Sequence, residues 1–170
     1  MESFFQYATL IAVVFTLILV VLLFLEFKKL RFDIDRRLGS NNEMIKLKLQ
    51  ALERLTLYCD RASLKNMIAR VDYSQGSAAV LHQTLIASLK TEYDYNASQQ
   101  IYVSPEIWSA VNRLRDQNIF ILNQIASTLP DGASALQLSK LILEFSMNQE
   151  AELSNIVLNA INFEAKKILN

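Results

Sequence analysis

The pattern of apolar and polar positions opens on one long apolar run and then settles into helical periodicity. From Ala8 to Leu25, eighteen consecutive residues carry no charge. A helix of that length covers roughly 27 Å, close to the hydrocarbon thickness of a bilayer. In lipid every backbone N–H and C=O must be paired internally, so the run is expected to be helical. Beyond it Phe27, Leu30, Ile34 and Leu38 recur at a 3-4-4 spacing, with Lys28, Lys29, Arg31, Asp35 and Arg36 around the other faces. Gly39 is read as the residue that ends this helix. Ser40-Asn41-Asn42-Glu43 is read as a capping box that opens the next.

The following helix places Met44, Leu47, Ala51, Leu55, Tyr58 and Ala62 on one stripe, and Ile45, Leu49, Leu52 and Cys59 on its neighbour. So broad an apolar face predicts burial on two sides, as in a bundle. Ser63 caps a short helix over 64–71, and Asp72-Tyr73-Ser74-Gln75-Gly76 is a turn. Ser77 then opens a helix to about Tyr95 whose buried side is Val80, Leu81, Leu85, Ile86 and Leu89. The stretch 96–103 (NASQQIYV) is expected to be a short extended segment, because Ile101 and Val103 alternate around Tyr102. Ser104-Pro105-Glu106 is the strongest local signal: a capping hydroxyl, proline at the first helical position and an acid in the first turn. That helix runs to about Leu129 and breaks at Pro130-Asp131-Gly132. A last helix starts near Ala133, where Leu136, Leu138, Leu141, Ile142, Leu143 and Phe145 make it nearly apolar all round for two turns and therefore central. It crosses a polar stretch at 148–152 and ends on Ile156, Val157, Ala160, Ile161, Phe163 and Ile168.

With only three Gly and two Pro in 170 residues, an all-α chain is expected. The expected architecture is a transmembrane anchor at 1–27, a basic juxtamembrane helix at 28–39, and a cytoplasmic helical bundle of four to five helices at 40–170. About 140 residues outside the anchor are enough for a single core.

Charge changes the picture only through its placement. Seventeen basic and seventeen acidic side chains cancel, which gives a nucleic-acid partner no electrostatic support. Between Lys28 and Asp72, however, eleven basic residues face six acids, whereas nothing basic precedes the apolar run. By the positive-inside rule, Lys28, Lys29, Arg31, Arg36 and Arg37 place the C-terminal part in the cytoplasm and the N-terminus in the periplasm of a bacterial inner membrane. The same side chains are candidates for contact with anionic head groups at the membrane surface. The start Met1-Glu2-Ser3 and the length of the apolar core argue against a cleaved signal peptide. Ala8, Ala12 and Thr16 recur every four residues, either as a small-residue stripe for packing a second transmembrane helix or by coincidence. The single cysteine, Cys59, excludes an internal disulfide, and its apolar stripe makes it a packed thiol.

Candidate chemistry is sparse. The sequence has no Gly-rich phosphate loop and no His-Glu-x-x-His pair, and its one histidine, His82, lacks a second ligand at metal spacing. No cofactor, metal or catalytic residue is expected. Six tyrosines and Trp108 are numerous for this length; most are read as core. A surface cluster of Tyr93, Tyr95 and Tyr102 would instead mark a partner contact.

Three stretches, Glu53-Arg54-Leu55-Thr56-Leu57-Tyr58, Gln99-Gln100-Ile101-Tyr102-Val103-Ser104 with Trp108, and Leu138-Ser139-Lys140, join the apolar N-terminal run in a resemblance covering nearly the whole chain. It resembles an uncharacterised family of single-pass membrane proteins of Bacteroidetes-type bacteria. The resemblance implies a bacterial inner membrane and brings no activity with it. The function expected is that of a non-enzymatic accessory or scaffold protein of the inner membrane, not an enzyme. Its helical domain docks on a membrane-protein complex or self-associates, with the lipid bilayer as its other partner. The alternative is a membrane-anchored ligand-sensing bundle, marked by a pocket where Tyr58, His82 or Gln99 converge.

Overall fold

The structure is a computed structural model that describes the backbone of residues 1–148 and 153–169, and side chains at Met1, 15–147 and 153–169. The elements are α1 (Glu2–Ala62), α2 (Leu64–Ala69), α3 (Ala78–Asn96), a 3-10 turn η1 (Ala97–Ile101), α4 (Pro105–Ser127), α5 (Ala135–Asn148) and α6 (Leu153–Leu169). The all-α expectation holds, and two compact units divide at Ile45 and Lys46.

The first unit, Met1–Ile45, belongs to α1 almost entirely. Here the expected fold is corrected. Among the described residues no helix is long and apolar enough to cross a membrane. The run whose side chains are described, Phe15 to Leu25, is followed at once by Glu26, Lys28 and Lys29. Residues 8–14 of the expected anchor lie outside the described side chains. The expected break at Gly39 is also absent: α1 passes through Gly39 and Ser40 without interruption. A lone glycine costs a helix only about 1 kcal/mol relative to alanine, and good helix formers on both sides carry the chain through.

In the second unit, Lys46–Asn170, the remaining helices enclose one core. Leu52, Leu55, Tyr58 and Cys59 of α1 meet Leu81, Leu85 and Leu89 of α3, Val111, Leu114 and Leu122 of α4, Leu138 and Ile142 of α5, and Val157 and Ile161 of α6. Serine caps start three helices. Ser63, Ser77 and Ser104 each accept a backbone N–H through Oγ, from Asn66, Val80 and Ile107 respectively. Two glycines take left-handed backbone where the chain turns, Gly76 at φ 99° and Gly132 at φ 82°. These turns are laced together: the Ala78 N–H donates to Ala133 C=O at 2.8 Å and the Ala135 N–H to Gly76 C=O at 3.0 Å. The pair forms an isolated antiparallel bridge between Ser77 and Ser134.

Two local expectations are corrected here. The stretch expected to be extended is a 3-10 turn over Ala97–Ile101, because the chain leaving α3 tightens and keeps its backbone bonds local. Leu136, expected in an apolar-all-round central helix, is 58% exposed, while Leu138 and Ile142 of the same helix are buried. α5 is thus amphipathic and packs through one face.

Candidate functional site

The most unusual surface lies on the first unit. Phe15, Leu17, Ile18, Leu19, Val20, Val21, Leu22, Leu23, Phe24 and Leu25 are all about half or more exposed, from 48% at Leu19 to 66% at Phe15. Since successive helical residues point 100° apart, this is an apolar sleeve on every face rather than one stripe. Further along, Phe27, Leu30, Ile34 and Leu38 form the stripe read from the sequence, and they too are exposed. Soluble proteins rarely leave so much contiguous apolar surface to water, and where they do it marks a contact site.

The candidate basic residues Lys28, Lys29, Arg31, Arg36 and Arg37 are all exposed on α1 just beyond this sleeve. Lys28 Nζ lies 5.6 Å from the centroid of the Phe24 ring, within cation–π range. Thr16 is described and exposed, whereas Ala8 and Ala12 of the same stripe lie outside the described side chains.

The three candidate contact tyrosines do not converge. Tyr93 is half-buried, with its ring 5.5 Å from that of Trp108 and 6.2 Å from that of Tyr58. Its hydroxyl donates to Asn112 Oδ1 at 2.6 Å, and the Arg115 guanidinium sits 4.1 Å from its centroid. Tyr95 is 72% exposed and carries the Arg54 guanidinium at 4.8 Å. Tyr102 lines a separate groove. That groove, about 790 Å³, is lined by residues of η1, the start of α4 and α6, among them Ile101, Val103 and Phe163, with Lys48, Lys167, Glu106 and Glu164 as its charged groups. Glu164 crosses it to accept from the Ser104 N–H at 3.1 Å and from the Ser104 hydroxyl. Sequence reasoning missed this contact because its partners are sixty residues apart.

The groups read as possible ligand contacts are likewise apart. The His82 ring bonds Asn123 Oδ1 at 2.9 Å and Gln99 Nε2 donates to Ser98 Oγ at 3.0 Å. The groove lined by Tyr58 includes neither of them. Among the described residues no group of three His, Cys, Asp or Glu is placed to hold a metal.

Acidity is perturbed both in the core and at the surface: the Ser74 N–H holds the exposed Asp72 carboxyl below its ordinary value, and the Asp116 carboxylate raises the Arg115 guanidinium. Burial pushes the Cys59 thiol up from 9.0 to about 12, and burial, followed by the neighbouring Cys59, lifts the Tyr58 phenol above its ordinary value. A packed neutral pair accounts for both shifts, with no nucleophile to activate. Both groups are neutral in the folded bundle at pH values where the unfolded chain ionises, so their contribution is full below about pH 8.5 and is lost as pH climbs through 9 towards 12. The urea midpoint is therefore expected to be level from neutral pH to about pH 8.5 and to fall above it. The Tyr58 hydroxyl is buried with no protein partner in bonding distance. Tyr58→Phe is expected to leave stability unchanged or raise it by about 1 kcal/mol, checked by the same titration.

Comparison with known proteins adds one match. A family described as "Family of unknown function (DUF7935)" matches residues 2–168. No curated protein and no solved structure matches the chain. A match over nearly the whole length means that the chain belongs to this family of unknown function, DUF7935.

Proposed function

We propose that the chain is a non-enzymatic accessory or scaffold protein that docks its helical bundle on a membrane-protein complex or on a copy of itself. One observation carries the reading: the apolar side chains from Phe15 to Leu25 stand about half or more exposed on all faces of α1. At about 25 cal/mol per Å² of apolar surface, covering them is strongly favourable, and a partner that is itself apolar is the natural cover. The reading requires no helix that crosses a bilayer.

The test is recovery of the full chain from its host in mild detergent, beside a variant carrying Ile18→Gln, Leu22→Gln and Leu25→Gln. A stoichiometric partner held by the natural chain and lost by the variant, with the melting of the bundle unchanged, is the expected result. A monodisperse monomer without partner in both preparations overturns the proposal.

A second reading, sensing of an amphiphilic ligand, is favoured by the groove at Tyr102. Its size suits a small molecule, and its lining combines apolar Ile101, Val103 and Phe163 with Lys48 and Lys167 and with the carboxylates of Glu106 and Glu164, the second of which is already engaged by Ser104. A medium-chain fatty acid that raised the melting temperature of the natural chain but not of Phe163→Asp would support that reading.

A further inference from the structure

We infer that α1 pairs in parallel and in register with α1 of a second copy, through a seam made by Val20, Leu23, Phe27, Leu30 and Ile34. The inference rests on the docking reading above and assigns one face of the exposed apolar part of α1 to a second copy. The five residues follow a 3-4-3-4 spacing on one unbroken helix, and all five are exposed. This is the a/d pattern of a two-stranded coiled coil. Val20, Phe27 and Ile34 take the a positions and Leu23 and Leu30 the d positions. β-branched residues at a, here Val20 and Ile34, with Leu at d favour two parallel strands. An isolated helix in water gains little from propensity alone and draws its stability from covering an apolar face. The seam stops at the next d position, which is Arg37.

Charge selects the orientation. In this register Glu26 falls at g and Arg31 at the following e, the two positions that face each other across a parallel pair. Among the described residues neither Glu26 nor Arg31 has an ion-pair partner within its own chain. A parallel, in-register second copy supplies both at once, Glu26 of each helix meeting Arg31 of the other. The arrangement is two-fold symmetric and closes on itself as a dimer. The sleeve positions Ile18, Leu22 and Leu25 lie outside the seam and stay available to another partner.

The experiment uses the full chain in mild detergent with one added cysteine, the buried Cys59 being retained. Under mild oxidation Leu30→Cys is expected to give a disulfide-linked dimer, while Lys29→Cys, pointing away from the seam, gives none. Adding Glu26→Lys to the Leu30→Cys chain is expected to abolish the cross-link, and the exchanged pair Glu26→Lys with Arg31→Glu to restore it. Equal cross-linking at positions 29 and 30 overturns the inference, as does a loss that the exchange does not repair. So does a Leu30→Cys chain that stays monomeric and simply binds neutral phospholipid vesicles. The substitutions at 18, 22 and 25 read out the docking proposal separately, since they leave the seam intact.

Discussion

Leu138→Ala is expected to lower the stability of the bundle by about 3–4 kcal/mol, the usual range for a leucine that leaves an unfilled cavity. Leu138 is fully buried in α5 and belongs to the core cluster that joins α1, α3, α4 and α6. Domains are stable by roughly 5–15 kcal/mol, so this one change removes a large part of the margin. Urea unfolding followed by far-ultraviolet dichroism should show a lower midpoint at an unchanged slope. Leu136→Ala, two residues away at a 58% exposed position, should cost well under about 1 kcal/mol. Equal effects at the two positions would contradict the packing of α5 through a single face.

The second large effect is polar. Asn118 of α4 is buried, and its Nδ2 donates to the Ala62 C=O at 2.7 Å. Ala62 is the last residue of α1, where carbonyls have run out of intrahelical partners. Asn118→Ala leaves that buried carbonyl unmet and is expected to cost about 2 kcal/mol. Asn118→Asp should cost at least as much at neutral pH, because a carboxylate offers no N–H and must be desolvated. Thermal or urea unfolding of both variants checks the order. If Asn118→Asp behaved like the natural chain, the side chain would not be bonding this carbonyl.

The parts of the fold legible in the sequence were those written locally. Ser63, Ser77 and Ser104 begin helices because a hydroxyl meets an N–H three residues on, and nothing distant is needed. Gly76 and Gly132 end up in turns for the same reason. Gly39 and Ser40 carry equally good local signals for a break, yet α1 runs through them, since a cap motif is only a preference of about 1 kcal/mol. Leu136 could not be told from Leu138 by hydropathy. Only the packing partners of α5 decide which leucine is inside.

The candidate site was half legible. The exposed stripe at Phe27, Leu30, Ile34 and Leu38 was visible as periodicity, whereas the apolar run before it was read as a bilayer span from its length and lack of charge. Tyr93, Tyr95 and Tyr102 sit close in sequence, but the end of α3 and the 3-10 turn send them to different surroundings. The Glu164 contact with Ser104 joins α6 to the start of α4, a pairing that no local pattern encodes.

The clasp between the turns at Gly76 and Gly132 has a consequence for how the bundle opens. Each turn supplies one donor and one acceptor to the other, through Ala78 with Ala133 and Ala135 with Gly76. Neither side of the clasp can let go while keeping its own pair of bonds. α3 and α5 are therefore expected to begin unravelling together, and a protease that nicked the second turn, at 130–132, would leave two fragments still joined by both bonds of the clasp.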